Sequence, residues 1–307
     1  MSKEYHIVAF GEALIDFTPN KDGAYVANVG GAPLNLAVCS AKYGCNAAFV
    51  GKLGKDAFGK LILDRAKREG VDTSGIVFDG TRVTTHAFVT LDEKGDRDFV
   101  FCRDHGADTA FKKEELPLDM LEQTRFFHFG GLSFTHEELK ETCISAINHA
   151  KDSGAFVSFD PNYRRALWEN EESFVKECKA LLDRVDVLKV SLEEALMLTG
   201  EVSEEEALKT LETKVPLVLL TKGSEGAVCA KDGKRFVLPP VKANTVDTTG
   251  AGDIFFGTFL SAMLMEGYTP RDIKDGDVLR IGAAACYYAA KSTEKYGAIP
   301  SIPNFSE

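Results

Sequence analysis

Residues Asp247–Leu264 read DTTGAGDIFFGTFLSAML, and this stretch decides how the rest of the chain is interpreted. The apolar run from Ile254 onward predicts a buried helix, and Gly250 and Gly252 predict a turn at its start. The first N–H groups of a helix have no intrahelical partners, and the helix dipole is positive at that end. The sequence therefore predicts an anion site where this helix begins.

A carboxylate, Asp253, stands in the first turn of the same predicted helix. A negative charge beside an anion site is unfavourable unless it has a chemical task. Asp253 has one if it takes a proton from a hydroxyl while the neighbouring N–H groups hold a transferring phosphoryl group. The alternative is that Asp253 caps the helix and the glycines merely turn the chain.

The composition is that of an ordinary globular protein of 307 residues, with 44% hydrophobic and 27% charged residues. This length fits one large α/β domain with a small appendage. A net charge of −11 disfavours nucleic acid and anionic membranes as partners, but it does not disfavour nucleotides. The seven cysteines are scattered without a CxxC pair, which is typical of free thiols in a reducing compartment. Because Met1–His6 shows no signal-peptide pattern and no apolar run could span a bilayer, we expect a cytoplasmic protein.

Short apolar runs alternate with amphipathic stretches, which predicts one doubly wound, mostly parallel sheet. The predicted strands are His6–Phe10, Ala47–Val50, Phe126–Phe129, Ala155–Phe159, Val187–Val190, Leu217–Thr221 and Gly226–Ala230. The predicted helices are Leu34–Tyr43, Ala57–Glu69, Glu137–Lys151, Glu172–Arg184, Leu192–Leu198, Ser203–Leu211, Ile254–Glu266 and Val278–Lys291.

Two segments interrupt this alternation. Ile15–Val29 contains the turn residues Thr18–Gly23, and Thr84–Phe101 contains the turn Asp92–Gly95. Both predict hairpin or edge-strand material. Such strands can form a small sheet over the carboxyl ends of the core strands, where ligands bind in this architecture.

Several polar residues stand at or near that ligand-binding edge of the predicted sheet. Asp16 and Asn35 are suited to hydrogen bonds with the hydroxyls of a polyol, and the glycines before Asn35 permit close backbone approach. Arg164 is suited to neutralise phosphate or clamp a substrate. Each also has an ordinary interpretation, as a turn residue, a helix start or a solvated arginine.

Two further loops follow predicted strands. Glu194 stands where it could hold Mg²⁺ through water, although Ser191 followed by Glu194 is equally a capping pattern. Thr221–Gly226 ends a strand with a glycine turn that could face a nucleotide or simply connect two elements. The six histidines lack zinc-site spacing, and neither a GxSxG elbow nor a GxGxxG after the first strand is present.

Asp247–Asp253 and Gly30–Asn35 together resemble the paired signatures of the ribokinase-like (PfkB-type) carbohydrate kinases. The resemblance spans the chain and includes Val50–Gly59 and Gly297–Ser301. Within the family the chain is most similar to fructokinases, in the stretches Phe10–Phe17, Gly30–Pro33, Phe159–Arg164, Leu167–Trp168 and Lys189–Ser191.

The resemblance implies a ribokinase-like, three-layer α/β fold, with residues 1–307 forming one sugar-kinase domain and residues 15–29 and 84–104 forming a lid. It implies ATP-dependent phosphorylation of a sugar hydroxyl, with D-fructose converted to fructose 6-phosphate. ATP and Mg²⁺ are the implied cofactors, with K⁺ at a monovalent-cation site. A homodimer through the lid is left open.

The resemblance also implies a role for each candidate residue. Asp253 would be the base, beside an anion hole made by the N–H groups of Gly250, Ala251, Gly252 and Asp253. The sugar would be held by Asp16, Gly31 and Asn35, by Phe101 and Arg103 from the lid, and by Arg164. The nucleotide pocket would be lined by Lys189, Ser191, Thr221, Lys222, Gly223 and Gly226. Glu194 would position Mg²⁺ through water, and the monovalent cation would lie at Asp247, Thr249, Ser292, Lys295, Gly297 and Ser301.

Other functions stay open at this point. Relatives with this fold act on 2-keto-3-deoxygluconate, ribose or nucleosides, and a non-catalytic sugar sensor on the same fold is a further alternative. An intact Gly-Ala-Gly turn followed by Asp253 favours the enzyme. The chain also departs from the family, because the asparagine that relatives place near the adenine is absent from Ala284–Cys286.

Overall fold

The computed structural model describes residues 3–20, 22–91 and 97–305, and in it strands alternate with helices. The strands are β1 (Tyr5–Phe10), β2 (Leu14–Pro19), β3 (Tyr25–Gly30), β4 (Ala47–Gly54), β5 (Ile76–Asp79), β6 (His86–Leu91), β7 (Arg97–Cys102), β8 (Thr124–Gly130), β9 (Phe156–Asp160), β10 (Val187–Ser191), β11 (Leu217–Thr221), β12 (Ala227–Lys231) and β13 (Lys234–Leu238). The helices are α1 (Ala32–Tyr43), α2 (Ala57–Arg68), α3 (Leu118–Glu122), α4 (Glu137–Asp152), α5 (Glu171–Lys179), α6 (Leu192–Thr199), α7 (Glu204–Glu212), α8 (Ala251–Met265), α9 (Asp275–Ser292) and α10 (Ala298–Ser301).

Within the described residues, the main sheet has nine strands in the order β13-β12-β11-β10-β9-β8-β1-β4-β5. Neighbours from β11 to β5 pair in parallel, and β12 runs antiparallel to both of its neighbours. The chain leaves β1 toward β4 and later returns to β8 on the other side of β1. In sheets of this kind ligands bind beyond the carboxyl ends of the strands, at such a reversal of strand order.

Apolar side chains cover both faces of this sheet, which makes the fold three-layered. One buried cluster joins the sheet to α3–α7 and contains Phe127, Phe129 and Phe159. The other joins it to α1, α2, α8 and α9 and contains Phe49 and Phe256. Because α8 is apolar on all sides, it lies buried along nearly its whole length.

A second, smaller sheet has the order β3-β2-β6-β7. β2 pairs antiparallel with β3, β6 pairs antiparallel with β7, and β2 pairs in parallel with β6. Its strands are the two segments that interrupt the predicted alternation. The predicted turn Asp92–Gly95 lies outside the described residues. We call this four-stranded sheet the lid sheet, after the lid that the resemblance implies for these segments.

The predicted elements are all present, with differences that have physical causes. The strand β13 follows the turn Asp232-Gly233, in which both residues have positive φ values of 52° and 74°. An Asp-Gly pair is a strong hairpin signal, yet β13 is not among the predicted strands. β5 was missed because it has only four residues at the sheet edge. The predicted helix Glu172–Arg184 ends at Lys179 and is followed by a separate short 3₁₀ turn. Among the described residues, no helix combines the length and apolarity needed to cross a bilayer.

Candidate active site

The start of α8 is open, as its sequence predicts. Gly250 precedes the helix in the left-handed conformation, with φ of 79°, and offers no side chain as a cap. The Ala251 N–H donates to the Thr248 carbonyl at 3.2 Å, so this predicted member of the anion hole has an internal partner. The N–H groups of Gly252 and Asp253 have no acceptor among the residues that the structure describes. They are the groups best placed to bind an anion.

Asp253 is buried beside these N–H groups, with 9% of its surface exposed. Its Oδ2 accepts a hydrogen bond of 2.8 Å from Nδ2 of Asn35. Burial and, to a smaller extent, the nearby negative charge of Asp160 raise the pKa of Asp253 to about 6. A carboxylate with such a pKa is ionised at neutral pH and is still basic enough to accept a proton.

The loop before α1 is shaped by glycine. Gly31 has φ of 108°, and a Cβ at this position would lie 2.5 Å from the Glu12 carbonyl oxygen, so no side chain fits. One turn into α1, Asn35 is 4% exposed, and its Oδ1 has no hydrogen-bond partner in the structure. The amide of Asn35 therefore binds the predicted base through nitrogen and keeps its oxygen available for a ligand hydroxyl.

Asp16 lies on β2 next to this loop. It is half-buried, and a Cβ on Gly30 would lie 2.5 Å from its Oδ2, so the carboxylate lies over the glycine turn. Burial raises the pKa of Asp16 to about 6, and the positive charge of Arg164 opposes that shift. The structure thus brings together Asp16, the glycine turn, Asn35 and Asp253, as predicted.

Arg164 and Phe101 border the same crevice. Arg164 is half-buried and donates from Nη1 to the Tyr163 carbonyl at 3.0 Å. Its charge acts on Asp16, Asp160 and Asp253, so it lies between the predicted sugar and phosphate positions. Phe101 is half-buried on β7 and pairs with Ala87.

Arg103 has a different environment from the one predicted. It is 2% exposed, and its Nε donates to Asp108 at 2.8 Å. Its Nη1 donates to Thr135 Oγ1 at 2.6 Å, and its Nη2 donates to the Leu132 carbonyl at 3.1 Å. Because the guanidinium is buried and paired, the structure gives Arg103 a role in joining elements rather than an open position toward a sugar.

Lys189 extends from β10 to the start of α8. Its Nζ binds both Asp160 oxygens, at 3.1 and 2.9 Å, and lies 3.0 Å from where a Cβ on Gly252 would be. Lys189 is 7% exposed, so a positive charge is buried next to the open N–H groups. Asp160 lies within the stretch Phe159–Arg164 that resembles fructokinases, but its pairing with Lys189 was not predicted.

At the start of α6 the capping alternative is the one observed. The Ser191 hydroxyl accepts from the Glu194 N–H at 3.1 Å, and Glu194 Oε2 accepts from the Ser191 N–H at 2.8 Å. Glu194 Oε1 accepts from the Tyr163 N–H at 2.7 Å. Both oxygens of Glu194 are therefore used, which leaves their remaining lone pairs for a water-mediated contact with a metal ion.

The loop after β11 forms a compact turn. The Lys222 N–H donates to the Gly226 carbonyl at 2.9 Å, and Lys222 Nζ pairs with Glu204 at 3.1 Å. Gly223 has φ of 56° with open space around it, and Gly226 has φ of 90° and packs against the Leu238 carbonyl. The Thr221 hydroxyl donates to the Val190 carbonyl at 3.3 Å. The backbone, rather than long side chains, shapes this side of the crevice.

The residues predicted for a monovalent cation cluster beside the α8 start. Asp247 is 4% exposed and accepts from the Thr249 N–H at 2.8 Å and from the Gly297 N–H at 2.9 Å. The Lys295 N–H donates to the Ser292 carbonyl at 3.2 Å. Ser292 and Ser301 are buried and bind carbonyls of their own helical turns. Among the described residues, no three His, Cys, Asp or Glu side chains form a metal cluster.

One buried acid of this region was not predicted. Glu12, in the β1–β2 connection, is 2% exposed, and its Oε1 accepts from the Ala32 N–H at 3.3 Å. Its Oε2 has no hydrogen-bond partner among the described residues. The signal was a charged residue inside an otherwise apolar stretch, Phe10–Ile15.

A buried carboxylate beside open helix N–H groups, with a lysine over them, is an arrangement suited to phosphoryl transfer to a hydroxyl group. Residues 5–304 match the pfkB family carbohydrate kinases. The chain belongs to that family and is an ATP-dependent carbohydrate kinase.

Relatives and solved structures agree with this assignment. The chain is 39% identical to probable fructokinase-4 of Arabidopsis thaliana, over 98% of this chain and 94% of that protein. It is 38% identical to fructokinase-1 of Oryza sativa subsp. japonica, over 97% and 94% of the two chains. The fold is similar to that of Vibrio cholerae O395 fructokinase in its fructose, ADP and calcium ion bound form, with a TM-score of 0.91 at 29% identity over 98% and 97% of the chains. Xylella fastidiosa fructokinase with bound ATP gives a TM-score of 0.89 at 30% identity over 97% and 95%.

Proposed function

We propose that this carbohydrate kinase transfers the γ-phosphoryl group of ATP to D-fructose, forming fructose 6-phosphate. The observation that carries the proposal is the buried carboxylate of Asp253, held by Asn35 beside the open N–H groups of α8. Asp253 takes the proton of the sugar hydroxyl as the oxygen attacks phosphorus. The N–H groups of Gly252 and Asp253 hold the phosphoryl oxygens, with the turn at Gly250 and Ala251 shaping the hole.

The sugar binds between the lid sheet and α1. Asp16 accepts hydrogen bonds from two hydroxyls, Asn35 Oδ1 accepts another, and the bare backbone at Gly31 lets the sugar approach closely. Phe101 covers the sugar from β7. These groups suit a neutral polyol, and the named relatives are fructokinases.

The pairing of Arg103 strengthens the case for a neutral substrate. An acidic sugar such as 2-keto-3-deoxygluconate brings a carboxylate whose burial is costly without a cation. Asp108 already neutralises Arg103, and the charge of Arg164 acts on Asp16, Asp160 and Asp253. Each arginine predicted to bind the sugar therefore has acidic neighbours that compete with a substrate carboxylate.

The nucleotide binds on the other side of the α8 start. Lys189 and Arg164 face the phosphates, Ser191 holds the helix start beside them, and the turn Thr221–Gly226 (with Lys222 and Gly223) borders the nucleoside. Mg²⁺, when bound, would neutralise negative charge on the phosphates. Glu194 would hold it through water, which is compatible with two oxygens that already accept backbone N–H groups.

A buried carboxylate beside loop carbonyls suits a large monovalent cation such as K⁺. The proposed set is Asp247, Thr249, Ser292, Lys295, Gly297 and Ser301. This cation would steady the turn that leads into α8, since Asp247 joins that turn to Gly297.

We also propose that the lid sheet closes over the sugar and that two copies pair through it. Closure would exclude water from the phosphoryl group. Pairing is supported by the exposed side chains of Tyr25 (46%), Val26 (48%) and Val100 (53%) on lid strands. Sedimentation at several concentrations would measure the oligomeric state.

A substrate panel tests the proposal. With ATP and Mg²⁺, kcat/KM for fructose should exceed that for 2-keto-3-deoxygluconate, ribose and a nucleoside by at least about tenfold, which corresponds to roughly 1.4 kcal/mol of discrimination. Phosphorus NMR of the product should place the phosphate on the 6-position. A tenfold preference for the acidic sugar would contradict the proposal, and sugar binding without turnover would indicate a sensor.

A further inference from the structure

The four strands of the lid sheet join the core at two places, and a buried carboxylate lies at each. β6 begins directly after Thr85, and β7 ends directly before Arg103. β2 begins two residues after Glu12, and β3 ends two residues before Ala32.

Asp108 joins the bases of β6 and β7. Its Oδ1 accepts from the Thr85 hydroxyl, and its Oδ2 accepts from Arg103 Nε at 2.8 Å. All three side chains are buried, with exposures of 1% for Thr85 and 2% for Asp108 and Arg103. A Cβ on Gly106 would collide with the Thr85 hydroxyl, so the chain leaves room for this contact.

Glu12 joins the bases of β2 and β3 in the same way. Its Oε1 accepts from the Ala32 N–H at 3.3 Å, which is the first N–H of α1. Gly31 offers no side-chain cap and α1 has no acidic residue in its first turn, so Glu12 supplies the missing acceptor from another segment.

Arg103 links Asp108 to the main sheet, and its charge also acts on Glu12. It donates to the Leu132 carbonyl and to Thr135, both in the connection after β8. Its positive charge also lowers the pKa of Glu12, which burial raises to about 7. The Thr85 carbonyl accepts the Ile15 N–H at 3.1 Å, so β2 is tied to the base of β6 as well.

We infer that Glu12 and Asp108 are positioning residues. Each joins the bases of two lid strands, a contact that we call a clasp, and so holds the lid sheet in position over the sugar. The Glu12 clasp also orients α1, and through it Asn35 and Asp253. The inference rests on the proposed function, because a lid matters only if it closes on a substrate. It assigns Arg103 to the lid base and not to the sugar.

Thr85→Val and Glu12→Ala test the two clasps. Each should raise KM for fructose about fivefold, the effect expected for one lost hydrogen bond, and leave KM for ATP within about twofold. Amides of the joined strands, 86–91 and 97–102 in Thr85→Val and 14–19 and 25–30 in Glu12→Ala, should exchange hydrogen about fivefold faster in the presence of fructose than in the unmodified protein. ATP consumed without sugar phosphate formed should rise, because a loose lid admits water.

Matched controls separate these effects from a general loss of stability. Thr124→Val removes a buried threonine hydroxyl that donates to the Phe126 carbonyl at 2.7 Å, at the start of β8 and so at the opposite edge of the sheet. Ser203→Ala removes the cap of α7, far from the lid. Both should lower the unfolding temperature without changing KM for fructose, lid exchange or the yield of sugar phosphate per ATP.

If Thr85→Val and Glu12→Ala matched their controls in lid exchange and in KM, the clasps would be structural only and the inference would be wrong. If the unmodified protein phosphorylated no sugar, the proposed function would fail instead. Hydrogen exchange measures the stability of the lid sheet without requiring turnover. Failure of the inference and failure of the proposed function are therefore distinguishable.

Discussion

The helices α6 and α8 both begin at the carboxyl edge of the main sheet, but the first turn of α6 is capped by side chains and that of α8 is not. α6 begins with a reciprocal cap between Ser191 and Glu194. α8 begins at Gly250 with no side-chain cap, and the N–H groups of Gly252 and Asp253 have no acceptor among the described residues. A capping residue stabilises a helix by about 1 kcal/mol. An uncapped start at this edge is therefore the better indicator of a ligand site, and a capped start is the ordinary structural solution.

The sharpest test of the open start is Asp253→Asn. The amide keeps the shape and cannot take a proton, so kcat should fall by roughly 10²–10⁴-fold, the usual contribution of a general base. ATP binding, measured by calorimetry, should stay within about threefold because the N–H groups remain. A variant that kept more than about a tenth of the original kcat would remove Asp253 from this role.

The same variant should be more stable at high pH. Burial raises the pKa of Asp253 to about 6, so ionising it favours the unfolded state. The protonated form stabilises the fold below the unfolded pKa, and this contribution is lost as pH rises through about 6. At pH 8, Asp253→Asn should unfold at a higher urea concentration, by on the order of 1–3 kcal/mol. Equal or lower stability at pH 8 would contradict the assigned burial cost.

Gly250→Ala should close the open start. The residue has φ of 79°, and a Cβ would lie 2.6 Å from the Ala298 Cβ. We expect a loss of about 2 kcal/mol and a fall in kcat of about tenfold or more. Gly154→Ala is the control, because it has φ of 80° with nothing within 4 Å and lies at the opposite edge of the sheet. If both variants lost the same activity, strain and not the anion site would be responsible.

The decrease of kcat/KM at acidic pH should reflect the protonation of Asp253. Asp253 acts only when ionised, so kcat/KM should fall as pH drops through about 6, by about tenfold for each further pH unit. Asp16 has a pKa of about 6 for the same reason and adds to the fall through sugar binding. Asp16→Asn should make the decrease less steep, and a decrease centred near 4 would mean that neither carboxylate is buried in solution.

The smallest effect is expected at the capped start. Ser191→Ala should lower stability by about 1 kcal/mol and change kcat less than about twofold. KM for ATP is the informative measurement, since the sequence also predicts Ser191 in the nucleotide pocket. A rise of about tenfold would show that the cap and a nucleotide contact coincide.

The fold was predictable wherever apolar runs are long and bounded by breakers. β11 occurs at the predicted residues because the apolar run Leu217–Leu220 lies between Pro216 and a glycine turn. β5 was not predictable, since four residues at an edge carry too little pattern.

The site shows the same division. Asp16, Asn35 and Asp253 were predictable because their elements meet at one edge of a parallel sheet. The burial of Arg103 was not, because its acceptors Leu132 and Thr135 lie 29 and 32 residues further along the chain. Arg103 meets these acceptors only in the folded protein. No hydrophobic periodicity near Arg103 in the sequence indicates which distant residues it will contact.

The parallel pairing of β2 with β6 has a consequence for how the protein folds. Ile15 pairs with His86, so β2 cannot complete its pairing until β6, a segment much later in the chain, is present. Contacts of such sequence separation form slowly, because loop closure must precede them. The lid sheet should therefore assemble after β1, α1 and β4 have packed, and a chain emerging from the ribosome should acquire sugar affinity only late in its synthesis.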